Sequence, residues 1–147
     1  METIKEIVRV KQIVMEREGV YATAITGTDV AGALAMQEIG DEAQEILLLL
    51  VLNTKNEINA MHRVFVGSIN SSVANPREIF RTALANNGTR IMLFHNHPSG
   101  NPEPSQADLA LTTKVARVGD MLGIELLDHI IVTNKRFISL RAEGALD

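Results

Sequence analysis

Apolar positions change their period several times along the chain, and each change predicts an element. Residues 4–15, IKEIVRVKQIVM, are rich in Ile and Val and partly alternate, which predicts a strand. TGTDVAGALAMQEI places Thr28 or Asp29 as an N-cap before an Ala, Leu and Met stretch with Gly40 as its stop, the pattern of a helix. EILLLLVLN (45–53) is apolar at consecutive positions and bounded by charge before it and NTKN after it, as a central strand buried on both faces should be. Beyond the NTKN turn, EINAMHRVFVGS alternates and is closed by Gly67 and a Ser/Asn-rich loop, so residues 45–67 read as an antiparallel hairpin.

NPREIFRTALANNG predicts a helix with Pro76 in its first turn and Asn and Gly at its end. TRIMLFHNH (89–97) predicts a strand that runs into a proline-rich loop. PSQADLALTTKVARVGDMLG then predicts a helix capped by Ser105 and stopped by Gly123, with Leu109, Val115 and Leu122 on or near one side. IELLDHIIVTN and RFISLR predict two closing strands. The predicted order, β, α, ββ, α, β, α, ββ, implies an α/β sandwich in which a mixed sheet lies between helices. It puts the proline-rich loop at the C-terminal end of a central strand, where ligands tend to bind.

Length and composition narrow this picture. A chain of 147 residues, 46% of them apolar, has the size of one domain with a core able to fold alone, and no linker, repeat or low-complexity stretch divides it. Net charge is −4, with Lys and Arg scattered and aromatics only 3%, a poor footprint for gripping phosphates or stacking bases. Cysteine is absent, which removes disulfides, thiolate metal sites and a cysteine nucleophile together, so any metal must sit on His, Asp or Glu. The charged N-terminus lacks the apolar core of a signal peptide, and ILLLLVL is too short to span a bilayer, so the expected compartment is the cytoplasm.

The concentrated chemistry lies in FHNHPSGNPEPSQAD (94–108). His95 and His97, two apart at a strand end, leave the same face and can reach one ion, while Asn96 points away. A third ligand is required, with an open position for water if the ion is catalytic, and Asp108 in the first turn of the next helix is the nearest candidate. Pro98, Pro102 and Pro104 restrict the loop that folds it back. The competing reading needs no metal: Ser105 and Asp108 have the spacing of a capping box. Joined to the His-x-His pair at a strand end, the pattern points to a metal site of nitrogen and oxygen ligands, a set that suits zinc.

A metal-bound water needs a base, and Glu45 at the head of the buried strand is a candidate, against the simpler reading that it is a solvated turn residue. Glu38, Glu42, Glu57 and Glu78 are eligible on chemistry too. His62 reads as a solvated strand position, and Asp128 with His129 as a satisfied polar pair or a network behind the site.

HNHPSGNPEPSQAD resembles the His-x-His-Pro, Ser-x-x-Asp signature of the JAMM (MPN-plus) metalloproteases, and in this form that of the RadC family. VFVGSINSSVANPREIFRTAL and LGIELLDHIIV…FISL extend the resemblance to about residues 28–147. It implies a three-layer α/β/α fold related to the cytidine deaminases, one zinc on His95, His97 and Asp108, Glu45 as general base, and Ser105 as donor to the oxyanion of the tetrahedral intermediate. The implied activity is that of a zinc metallopeptidase or isopeptidase acting on a protein or peptide. Full-length RadC proteins carry an N-terminal helix-hairpin-helix region that is not expected in this chain, and the argument for DNA binding goes with it. Asn53 and Asn75 stand where relatives are expected to carry Asp and His.

The alternatives are a DNA repair-associated accessory protein and a metal-binding interaction module without catalysis. A nucleobase deaminase would need the Pro-Cys-x-x-Cys ligand pair, which a chain without cysteine cannot supply. Oligomeric state has no signature in the pattern.

Overall fold

The computed structural model describes residues 1–19, 24–68 and 75–146. Among these the element order is α1 (Thr28–Ile39), β1 (Ile46–Leu52), β2 (Ile58–Val66), α2 (Pro76–Ala85), β3 (Arg90–Asn96), α3 (Gln106–Leu122), β4 (Glu125–Val132) and β5 (Phe137–Ser139). The strands form one mixed sheet in the order β2-β1-β3-β4-β5, parallel at β3–β4 and antiparallel elsewhere. The fold is a three-layer α/β/α sandwich of the JAB/MPN type.

β1 explains why the sheet needs cover on both sides. Every residue of ILLLLVL is buried, and side-chain alternation sends them to opposite faces. Leu47, Leu49 and Val51 join Ile91 and Leu93 under Ile79, Phe80 and Ala83 of α2 and Leu111 and Val115 of α3. Ile46, Leu48, Leu50 and Leu52 join Met92, Phe94, Ile130 and Val132 under Ala31, Leu34, Ala35 and Ile39 of α1. The hairpin from 45 to 67 forms as expected, with Ile46 opposite Val66 and Leu52 opposite Ile58. The Ser/Asn-rich loop after Gly67 lies largely at 69–74, outside the described residues.

Three expectations are corrected. Residues 4–15 form no strand: Ile4, Ile7, Val8, Val10, Ile13, Val14 and Met15 are exposed, and side-chain contacts with the domain are made by Gln12 with Asn86 and, just beyond the segment, by Arg17 with Glu38. Alternating Ile and Val record a propensity, but a strand exists only where a neighbour completes its ladder. α1 is capped by Gly27 with no side-chain cap, and Thr28 and Asp29 lie inside its first turn. α3 starts after Ser105 and stops at Gly123 as expected, but its inward face is Asp108, Leu111, Thr112, Val115 and Gly119, and Leu122 is exposed.

Asn53 and Asn75 have local structural tasks. Asn53 Oδ1 accepts from the N–H groups of Lys55 and Glu57 to close the hairpin turn, and the Asn75 side chain caps α2 at Arg77 N. Among the described residues no helix is long and apolar enough to cross a membrane.

Candidate metal centre

β3 is the middle strand, and its end carries His95 and His97 toward the face covered by α2 and α3. Their rings lie edge to face with centroids 5.0 Å apart. After His97 the chain turns at Pro98–Gly100, and the loop returns to the N-terminus of α3, where Asp108 is fully buried. One Asp108 oxygen is 2.9 Å from His95 Nδ1 and the other 3.0 Å from His97 Nε2. Glu45, in the residue before β1, has the parity of Leu47 and Leu49, so it emerges on the same face; its Oε1 lies 3.8 Å from His95 Nε2.

The capping box is present. Ser105 Oγ accepts from Asp108 N at 3.1 Å, while Ser105 N donates to Asp108 Oδ2 at 2.8 Å. Capping and contact with the histidines do not compete, because a carboxylate has lone pairs enough for Ser105 N and both imidazoles. The cap fixes the first turn of α3 so that Asp108 faces β3.

Partners decide the tautomers. The Asn101 carbonyl, 2.9 Å from His97 Nδ1, can only accept, so Nδ1 carries a hydrogen and Nε2 presents its lone pair to Asp108 Oδ2. Two lone pairs facing each other at 3.0 Å need a cation between them. With no metal that cation is a proton: the Asp108 hydrogen bond is the main cause that raises the His97 pKa above its usual value, although burial opposes it. Burial likewise works against an ionised Asp108, but hydrogen bonds from His95, His97 and Ser105 N outweigh it and hold the carboxyl well below its ordinary range. His95 donates Nδ1–H to this carboxylate, which leaves its buried Nε2 without a hydrogen-bond partner and directed toward Glu45.

These features fit a divalent ion. An orphaned buried imidazole nitrogen, a second imidazole oriented by a backbone carbonyl, and flanking carboxylates make up the nitrogen and oxygen donor set that such ions take. Glu45, His95 and His97 offer ligand atoms all within 4.8 Å of one another, and Asp108 touches both imidazoles from the other side.

All five sequence-nominated residues, Glu45, His95, His97, Ser105 and Asp108, therefore meet at one strand end. The other glutamates are engaged elsewhere: Glu38 with Arg17 and Arg63, Glu42 with Arg63, Glu57 with Asn53, and Glu78 with Arg81. His62 is exposed on β2 and touches Thr82.

Of the two readings of Asp128 and His129, the network behind the site is the one found, and it runs through Thr112. The backbone N–H of His129 goes to Asp128 Oδ1, while its fully buried ring bonds Thr112 Oγ1 at 2.6 Å. Thr112 donates its hydroxyl hydrogen to the Asp108 carbonyl at 2.7 Å, so His129 Nδ1 must be the donor to Thr112. His129 thus supports the turn that presents Asp108. Burial first, then the nearby charge of His95, pushes its pKa down to about 3. Sequence reasoning missed Thr112, whose i+4 spacing from Asp108 was the available signal, and Asn96, whose buried side chain binds the segment before β1.

The model of the family described as RadC-like JAB domain matches residues 25–145. A UPF0758 protein of Clostridium beijerinckii is 43% identical over 122 residues, 83% of this chain and 53% of the relative. One from Enterococcus faecalis is 46% identical over 120 residues, 82% of this chain and 52% of the relative. The chain spans about half the length of these curated relatives.

Proposed function

The chain belongs to the RadC-like JAB domain family, and from that premise we propose that it is a zinc-dependent hydrolase of amide bonds, acting on a peptide or isopeptide linkage in a protein. The observation that carries the reading is the orphaned Nε2 of His95 beside Glu45, on the same strand end where Asp108 joins His95 to His97. His95, His97 and Asp108 would hold the ion. When bound, zinc supplies Lewis acidity and brings the pKa of a coordinated water toward neutrality.

The two carboxylates suit different tasks. Asp108 is fully buried and lies against both imidazoles; to serve as a ligand its carboxylate would exchange the hydrogen bonds from the histidines for the ion. The Glu45 side chain keeps 29% of its surface, so it can exchange protons: it takes one from the attacking water and returns it to the leaving amine. Ser105 Oγ accepts from Asp108 N and is exposed, so its own hydrogen is left for the oxyanion of the tetrahedral intermediate, an interaction of about 3 kcal/mol in comparable sites.

The test is to incubate the zinc-loaded protein with mixed peptide and isopeptide substrates and identify new amine ends by mass spectrometry. The reading expects cleavage that disappears in Glu45→Gln while zinc is retained. Cleavage unchanged in that variant would refute Glu45 as base, and loss of zinc would make Glu45 a ligand, a role its grouping with His95 and His97 would allow.

A further inference from the structure

Asn96 stands between the two histidines on β3, yet its side chain leaves on the opposite face and is fully buried. Its Oδ1 accepts from Ile46 N at 2.6 Å, and its Nδ2 donates to Gln44 O at 2.9 Å and Glu42 O at 3.4 Å. These contacts bracket Glu45.

Ladder geometry explains why a side chain is used there. The β1–β3 pairing ends at Leu47 opposite His95. Beyond it Ile46 has no partner residue on β3, although the chain stays on β4, with His97 N donating to Val132 O at 2.9 Å. The peptide groups at Ile46 N and Gln44 O would be left unpaired and buried, a cost the primary amide of Asn96 removes by supplying one acceptor and one donor, as a peptide group would. On the other side, Gly67 N donates to Glu45 O at 2.7 Å. The Glu45 backbone is therefore held from both neighbouring strands.

We propose that Asn96 is a positioning residue that fixes the place of the Glu45 carboxylate against His95 by clamping the peptide groups on either side of Glu45. This rests on the reading that Glu45 acts beside the ion. Asp at 96 keeps the acceptor for Ile46 N but turns a second oxygen toward Gln44 O, and Leu supplies neither bond.

The test uses Co²⁺ in place of zinc and reads the visible absorption spectrum of the loaded protein at one pH for wild type, Asn96→Asp, Asn96→Leu, Glu45→Gln and Asn96→Asp with Glu45→Gln. About one ion per chain is expected in each, because His95, His97 and Asp108 are unchanged. Asn96→Asp and Asn96→Leu should shift the spectrum as Glu45→Gln does, and Asn96→Asp should add nothing once Glu45 is Gln. A spectrum unmoved by the Asn96 variants, or an equal shift from Asn96→Asp with and without Glu45, overturns the proposal and leaves the Glu45 reading standing. A spectrum unmoved by Glu45→Gln overturns the underlying reading instead. If the Asn96 variants do not fold, amide exchange in the wild type decides: Ile46 N–H should exchange at least about tenfold more slowly than an unpaired loop amide, and exchange at the loop rate overturns the clamp.

Discussion

His129 should make the metal-free protein sensitive to mild acid in a window that no other shifted group covers. Its imidazole is fully buried, its Nδ1–H is committed to Thr112, and its pKa falls from 6.5 to about 3. Between those values the unfolded chain binds a proton on this ring and the folded chain does not, so stability falls as pH falls. The loss is about 1.4 kcal/mol per pH unit, or about 2 kcal/mol between about pH 6 and about pH 4.5. His97 has a raised folded pKa; its contribution is complete below the unfolded value and is lost only as pH rises through the folded one, so it adds no slope here. Asp108 has a depressed folded pKa; its contribution is present above 3.8 and is lost below it, under the same window. The assay is urea unfolding of chelator-treated protein at several pH values, for wild type and His129→Asn, which retains an N–H donor near Nδ1. Wild type should show the slope and the variant should lose most of it. Equal slopes would refute the claim that His129 is held neutral behind Asp108.

Other consequences follow from single contacts. Asp108→Asn, with one oxygen where the carboxylate offered two, should abolish tight zinc binding and return the His97 ring toward its ordinary pKa, read by NMR titration of its ring protons in metal-free protein; a His97 pKa still raised would contradict the pairing. Gly119→Ala would place a Cβ 2.2 Å from the Ile124 carbonyl oxygen, so thermal unfolding should show a loss of about 1–3 kcal/mol, and an unchanged unfolding temperature would show that the backbone can give way there. Leu49→Ala, at the centre of the fully buried β1, should cost about 3–5 kcal/mol in urea unfolding, and a cost under about 1 kcal/mol would show the packing to be looser than described.

The elements legible in the sequence were those whose signal is local. ILLLLVL between charge and NTKN can only be a strand buried on both faces, and the hairpin follows from its turn. The loop from His95 to Asp108 was legible because strand parity puts both imidazoles on one face and the following cap brings the carboxylate back. Residues 4–15 misled because alternation says nothing about whether a neighbouring strand is available. The inner face of α3 was misjudged because two of its positions, Asp108 and Thr112, are polar: the site sits on the stripe that an apolar pattern would have marked.

Glu45 shows the limit. Its parity with Leu47 was visible, but only the register Leu47 opposite His95 brings it to the site, and register is a property of paired strands that a sequence does not print. The route by which His129 acts and the role of Asn96 were hidden for the same reason. His129 reaches Asp108 through Thr112, and Asn96 reaches Glu45 through the backbone of a strand fifty residues earlier.

The most direct measurement is bound metal by elemental analysis, on protein purified without chelator or an affinity-tag metal and then equilibrated with zinc, for wild type, His97→Ala and Asp108→Ala. The account predicts about one zinc per chain in the wild type and its loss in both variants while circular dichroism shows them folded. Folded wild type that takes up no zinc, or an Asp108→Ala protein that keeps it, would contradict the assignment.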